Sequence, residues 1–382
     1  MTPVDLRDPL PLAQRLIRCR SVTPVDDGAM AVLEQALEAL GFRCRRMPFG
    51  EVQNLYARRG EIGSNLCFAG HLDVVPPGDE AAWRFPPFDA AVADGALWGR
   101  GAADMKGCIA AWVAAIARTP THDGSLSLLI TGDEEGPALD GTRRVVEALA
   151  DEGERIDGCI VGEPSSLATI GDQLKVGRRG SLNAWITVHG VQGHVAYPER
   201  AANPIRPLSA LLQRLQDRVL DDGWPEFPPS NLEITTVDVG NPATNVIPAI
   251  AAARLNIRFN PVHRGADLIA WLTDECAAAE AAFGGRIELT TLLSGEAFLT
   301  EAGPFLQAVS EAVEGVTGAW PAFSTTGGTS DARFIRELCP VVELGLVGTT
   351  IHQVDEHAPL EDLERLTDVY AAVIARAGEG LA

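Results

Sequence analysis

Imidazoles and carboxylates recur in this chain at the C-terminal ends of apolar, strand-like runs. His71 and Asp73 lie in LCFAGHLDVV, Asp104 in GRGAADMKG, Glu134 and Glu135 in LLITGDEEG, Glu163 in CIVGEP and His352 in TTIHQVDE. They are scattered over most of the sequence, yet a parallel sheet delivers the side chains at its strand ends to one edge, so a single pocket is predicted. The residue types suit a two-metal hydrolase. There, a pair of divalent ions about 3.5–4 Å apart shares a bridging carboxylate and a water, and each ion takes further imidazole or carboxylate ligands.

Two histidines and three carboxylates meet that requirement and leave two carboxylates over. The His71-x-Asp73 spacing predicts both side chains on one face of a strand, with Asp73 orienting the imidazole. Adjacent Glu134 and Glu135 cannot both point the same way from an extended backbone, so one is expected to ligate and the other to act as base. Each fragment alone has an ordinary reading, as a hydrogen-bonded core histidine or a solvated Asp-Glu-Glu turn; their joint occurrence favours metal chemistry. His122, His189, His263 and His357 have no comparable context and read as surface or loop residues.

Periodicity indicates the elements that carry these residues. Residues 8–19 and 28–40 repeat apolar positions at helical spacing, and strand-like runs follow at 43–49, 53–58, 64–75 and 96–100. CIAAWVAAIAR reads as helix, SLSLLIT as strand, TRRVVEALADEG as helix and GCIVG as strand. This alternation predicts an α/β fold, a mainly parallel sheet with helices on both faces. From about Ser181 the order changes to strand, helix, strand, strand, helix, strand, the signature of a ferredoxin-like sandwich. Helix–strand alternation resumes after Ser294. The expected division is a catalytic domain at 1–179, an inserted ferredoxin-like α+β lid at 180–293, and a return to the catalytic domain at 294–382.

A length of 382 residues exceeds what one core usually fills, and 46% hydrophobic residues indicate a globular chain. The net charge of −21 argues against nucleic acid and anionic membrane as partners, because both demand basic surface. Seven cysteines without CxxC spacing suit reduced thiols, and Cys67, Cys108 and Cys159 in apolar runs read as small core residues. MTPVDLRDPL has no basic segment followed by an apolar core, and no apolar stretch reaches ~18 residues, so a soluble, cytoplasmic protein is expected. Gly99-x-Gly101 and Gly327-Gly328 continue into neither GxGxxG nor a Walker sequence, so no nucleotide is expected. Ser330-Asp331 lies in no G-x-S-x-G elbow and is read as an ST-turn or the cap of a helix beginning DARFIREL.

In this order and over nearly the whole chain, GHLDVVPPG, Trp83 followed by FPPF, GRGAADMKG, TGDEEGPALDGT, CIVGEPSS, KVGRRGS, GHVAYPERAANPI, TNVIP, GGTSDARFI and IHQVDE resemble the M20 family of zinc aminoacyl hydrolases and deacylases. Within it, GRRGS, GHVAYP with ANPI, and ATNVIP are most similar to the branch that removes succinate from N-succinyl-LL-2,6-diaminopimelate in bacterial lysine biosynthesis. Another acyl-amino-acid deacylase, such as an acetylornithine deacetylase or aminoacylase, is the alternative. A non-catalytic scaffold is disfavoured by the complete ligand set with Glu134 intact.

The resemblance implies two Zn2+ per subunit, with Co2+ able to substitute. His71 and Glu163 would bind one ion, Glu135 and His352 the other, and Asp104 would bridge them. It implies Glu134 as general base, Asp73 as orienter of His71, and a homodimer in which His194 reaches the partner's site and stabilises the oxyanion. Arg178 is expected as a bidentate clamp for the succinyl carboxylate, or else as a charged hinge. Arg258 in ARLNIRFN is either a second such contact or a residue facing water. Ser181, Tyr197, Asn245, Gly328 and Thr329 are implied as further substrate contacts. Where some members of that branch have asparagine and alanine before TIH, this chain has Gly348 and Thr349, so one polar substrate contact is absent or supplied elsewhere.

Overall fold

The computed structural model describes residues 5–378, which divide into two compact units. One takes in the chain up to Val176 with Thr300–Ser324 and everything from Ser330; the other is Gly177–Leu299 with Thr325–Thr329. Residues 1–4 and 379–382, which the expected domain boundaries and the N-terminal reading touch, lie outside the described residues.

The first unit is built on an eight-stranded sheet. Its strand order is Arg43–Arg46, Leu55–Arg59, Ser125–Thr131, Asn65–His71, Gly158–Val161, Val341–Glu343, Gln173–Lys175, Ala322–Ser324. The four central strands, from Ser125–Thr131 to Val341–Glu343, are mutually parallel, whereas the edge hairpin of Arg43–Arg46 and Leu55–Arg59 is antiparallel. Every residue of NLCFAGH and SLSLLIT is buried, as expected of strands covered on both faces rather than alternating between core and water.

The helix Lys106–Arg118 is buried from Lys106 through Ile116, so it is a core element. The surface helix Thr142–Asp151 instead buries Thr142, Val145, Val146 and Leu149, an i, i+3, i+4, i+7 stripe. Phe68 stacks on Trp112 at 4.8 Å, and Tyr370 of the helix Leu360–Ala377 meets both rings edge-on at 5.7 and 5.1 Å. Each such pair contributes about 0.5–1.5 kcal/mol beyond area burial. The cluster pins the strand that ends in His71 to the helix that begins just after Asp104.

Three strand-like runs are shorter than periodicity predicts. The run 43–49 ends as a strand at Arg46, the run 64–75 at His71, and the run 96–100 at Trp98. Gly99 and Gly101 have φ of +154° and +86°, backbone that ordinary residues avoid, and this carries the chain out of the sheet.

The second unit is a four-stranded antiparallel sheet in the order Asn231–Asp238, Ile250–Phe259, Gly180–His189, Arg286–Gly295, with the helices Ile205–Asp217 and Gly265–Phe283. Its connection order is βαββαβ. Burial alternates along Gly180–His189 and Ile250–Phe259, so each strand offers one face to the core. Leu182, Ile186, Leu255 and Ile257 pack there with Leu208, Leu211, Leu268 and Leu272 of the helices. Among the described residues no helix is long and apolar enough to cross a membrane.

Candidate metal centre

His71 is the last residue of its strand and is buried. Its Nδ1 lies 2.8 Å from the backbone carbonyl oxygen of Asp73, which favours the Nδ1–H tautomer and leaves Nε2 as a ligand atom. The Asp73 carboxylate is farther away, 3.7 Å from Nδ1, and accepts instead from the backbone N–H groups of Glu134 (3.2 Å) and Glu135 (3.0 Å). The expected carboxylate contact is thus the longer of two, and the Asp73 carbonyl is the nearer partner of the imidazole. The strand has ended before Asp73, the shared-face geometry does not apply, and the carbonyl makes the closer contact.

The other groups converge on Asp104. His71 Nε2 is 3.2 Å from Asp104 Oδ1 and 3.8 Å from Glu163 Oε1, whereas His352 Nε2 is 3.3 Å from Asp104 Oδ2 and 2.8 Å from Glu135 Oε1. Glu163 follows the strand Gly158–Val161. A Cβ on Gly345 would come within 2.3 Å of the Glu163 carbonyl oxygen, so only glycine lets the chain pass there. Among the described residues two sets of possible ligand atoms lie within 4.8 Å of one another: His71, Asp104 and Glu135, and His71, Glu134 and Glu163. Glu134 thus stands as close to this cluster as the residues expected to ligate.

Burial is the largest single influence on all four of the carboxyls Asp73, Glu134, Glu163 and Asp104. It pushes Asp73 up to about 6 against the pull of His71 and the two N–H groups, and Glu134 up to about 8 with the Asp331 carboxylate adding to the rise. Glu163 is raised well above the usual carboxylate range by burial, then by Asp104 and Glu134. Asp104 goes the other way: burial opposes its charge, but hydrogen bonds with His352 and His71 hold its carboxyl below the usual range. Hydrogen bonds to Asp104 and Glu135 raise His352 to about 10. The pocket gathers more acidic groups than its two imidazoles can balance, and bound divalent cations would supply the missing positive charge. A mixed imidazole and carboxylate set suits a borderline ion such as Zn2+, so the residues present fit the expected group.

The residues expected to contact substrate belong to the second unit. His194 is exposed on the short strand Gly193–His194, which pairs with Val246–Ile247, and its Nδ1 accepts from the Ala196 N–H. Tyr197 is exposed nearby, ring centroids 5.8 Å apart, and the Asn245 carbonyl accepts from the Val195 N–H at 3.1 Å. Arg178 is buried, its Nη1 donating to the carbonyls of Thr326 and Gly328 at 3.1 Å each. Ser181, buried, faces half-buried Arg258 across the strand pair, and Thr329 closes the unit's last segment. Burial, then the neighbouring Arg179 charge, lowers the Arg258 pKa.

Several minor readings need correction. Ser330 donates its Oγ–H to Glu343, and Asp331 accepts from Thr142 Oγ at 2.6 Å, so neither side chain caps the short helix Ala332–Ile335. Partners distant in sequence outcompeted the local cap. His122 and His263 lie in loops as expected, partly buried, with His263 paired to Asp221 at 3.1 Å and His122 Nδ1 3.0 Å from the Ile374 carbonyl oxygen, whereas His357 begins a strand and stacks on Trp98 at 4.3 Å and His189 ends a strand 3.2 Å from Glu288. Sequence reasoning missed buried Asp331 beside Glu134 and the buried Arg100–Glu356 pair. Only their place inside the motifs GGTSDARFI and IHQVDE hinted at them.

Residues 67–376 match the profile of peptidase family M20/M25/M40. The chain is 64% identical over 369 residues to a protein of Caulobacter vibrioides (strain NA1000 / CB15N) named succinyl-diaminopimelate desuccinylase, covering 97% of this chain and 96% of the relative. A protein of the same name from Caulobacter sp. (strain K31) is 62% identical over 375 residues, covering 98% and 97%. Among solved structures, an M20 family metallo-carboxypeptidase from Sulfolobus solfataricus superposes with a TM-score of 0.80 at 18% identity, covering 96% of this chain and 98% of that one, a likeness of fold.

Proposed function

Since the chain belongs to peptidase family M20/M25/M40, we propose that it hydrolyses N-succinyl-LL-2,6-diaminopimelate to succinate and LL-2,6-diaminopimelate, in bacterial lysine and diaminopimelate biosynthesis. The observation that carries the substrate is the 64% identity, over 97% of the chain, to a relative named for this reaction. The cluster around Asp104 supports the chemistry.

Two Zn2+ ions per subunit, replaceable by Co2+, would be held by His71 and Glu163, by Glu135 and His352, and by Asp104 shared between them; when bound they supply electrophilic activation of water and of the acyl carbonyl. Glu134 is the general base. It takes a proton from the attacking water and returns it to the departing amine, so the amide C–N bond is replaced by a C–O bond in succinate and an N–H bond in the diamino acid. A half-buried carboxyl with a raised proton affinity suits that shuttle. The backbone carbonyl of Asp73 orients the His71 ring, while its carboxylate fixes the peptide bearing Glu134 and Glu135.

Arg178 and Arg258 recognise substrate carboxylate, with Ser181, Tyr197, Asn245, Gly328 and Thr329 completing the contacts. Gly348 and Thr349 offer no side-chain amide, so that contact is absent or comes from elsewhere. The second unit acts as lid and dimerisation domain of a homodimer, and His194 donates to the oxyanion of the partner subunit's site. Seven free cysteines, five of them buried, support a reducing, cytoplasmic setting.

The test is a side-by-side assay of the purified protein on N-succinyl-LL-2,6-diaminopimelate and acetylornithine, before and after exhaustive chelation. Preferred turnover of the succinylated substrate, lost on chelation and restored by Zn2+ or Co2+, is expected. Preference for acetylornithine would transfer the chain to the acyl-amino-acid deacylases, and full activity without metal would remove the metal centre.

A further inference from the structure

Glu356 lies four residues after His352 on the same loop and is fully buried, yet its carboxylate serves a different loop. Its Oε1 accepts from the backbone N–H groups of Gly101 (3.1 Å), Ala103 (3.0 Å) and Asp104 (3.1 Å), and its own carbonyl accepts from the Gly99 N–H at 2.9 Å. Its Oε2 accepts from Arg100 Nη1 at 2.6 Å. That guanidinium is buried too, lying 5.2 Å over the Trp83 ring. One carboxylate therefore joins the segment that ends in Asp104 to the segment that carries His352.

We propose that Glu356 is a positioning residue of the metal centre, locking the Asp104 loop onto the His352 loop so that both side chains are presented together. This rests on the metal-centre reading above. Residues 99–104 lie between the strand Ala96–Trp98 and the helix Lys106–Arg118, where no sheet or helix ladder takes all their N–H groups. Buried N–H groups need acceptors, and one oxygen that accepts three of them fixes the local backbone path. On the other side, His352 and Asp355 have φ of +62° and +63°, the left-handed region that residues with a Cβ seldom enter. Such backbone persists when its surroundings over-determine it. Here Asp355 Oδ1 is held by the Arg84 N–H at 2.7 Å and Glu356 by the Asp104 loop. An acceptor shell outside the ligands that sets their direction commonly governs metal affinity.

The experiment measures equilibrium Zn2+ affinity by competition with a chromogenic chelator, beside the melting temperature of the metal-free protein, for the parent, Glu356→Asp, Glu356→Gln and Arg100→Lys. Glu356→Asp keeps the charge facing Arg100 but is one methylene too short for the three N–H groups, and is expected to lose roughly 10–100-fold in zinc affinity. Glu356→Gln keeps an oxygen for those groups and loses the charge, so it is expected to bind zinc more tightly than Glu356→Asp while melting at a lower temperature. Arg100→Lys is expected to lower the melting temperature with zinc affinity retained. Parental zinc binding by Glu356→Asp, the opposite order of the two Glu356 variants, or an equal affinity loss in Arg100→Lys overturns the proposal. A parent protein that binds no zinc overturns the metal-centre reading instead.

Discussion

The Asp73 carbonyl oxygen, 2.8 Å from His71 Nδ1, holds the imidazole, while the Asp73 carboxylate stands 3.7 Å from the same nitrogen. One residue thus orients the ring through its backbone and the Glu134–Glu135 peptide through its side chain. Asp73→Asn leaves the carbonyl intact but puts an amide N–H against one of the two backbone donors. We expect roughly 10–100-fold loss of activity or metal affinity. Kinetics together with metal analysis of this variant check it; parental values for both would confine the role of Asp73 to its backbone.

Glu134 and Glu135 are neighbours in sequence with different surroundings, one close to Asp331, the other to His352. Glu134→Ala is expected to retain two metals and lose turnover by roughly the 10²–10⁴-fold typical of general acid–base catalysis. Loss of a metal in Glu134→Ala, with both kept in Glu135→Ala, would exchange the two roles.

Stability of the metal-free protein is expected to fall as pH rises from about 5 to 8. Glu134, raised from 4.5 to about 8, and Asp73, raised from 3.8 to about 6, both hold protons more tightly in the folded chain. Such groups stabilise the fold below their unfolded pKa, and that contribution is lost as pH climbs through the folded value. His352, raised from 6.5 to about 10, acts in the same direction. Melting temperatures across this range should slope downward, less steeply in Glu134→Gln. A flat or rising profile contradicts the electrostatic account.

Arg178→Lys keeps a charge but loses the planar fork. It is expected to reduce kcat/KM for a succinylated substrate more than for an acetylated analogue. Equal losses would return Arg178 to a structural part, bonding the carbonyls of Thr326 and Gly328.

His194→Ala and Glu134→Ala are each expected to be inactive, yet their mixture should recover part of the activity after subunit exchange. In the mixed dimer one site then carries both defects and the other carries neither. Exchange verified by native mass spectrometry with no recovered activity sinks the contribution of His194 across the dimer.

Local periodicity alone was enough to determine the main elements. SLSLLIT is a strand over the full predicted length, TRRVVEALAD carries a helical stripe, and continuous burial of the central strands follows from their unbroken apolar runs. The α/β class and the βαββαβ order follow from such signals because each is set within one short window. Residue type likewise marked His71, Asp73, Asp104, Glu134, Glu135, Glu163 and His352 as candidate groups before any coordinates, and the resemblance to the M20 family chose the expected ligands among them. Only the tertiary structure decided that the Asp73 carbonyl holds His71, that Ser330 turns to Glu343 rather than to a helix terminus, and that Glu356 serves a loop more than 250 residues away in sequence. The first follows from the strand ending at His71, whereas the Ser330 and Glu356 bonds join separate segments, where folding brings a buried donor to a buried acceptor. No spacing rule in the sequence records such a meeting.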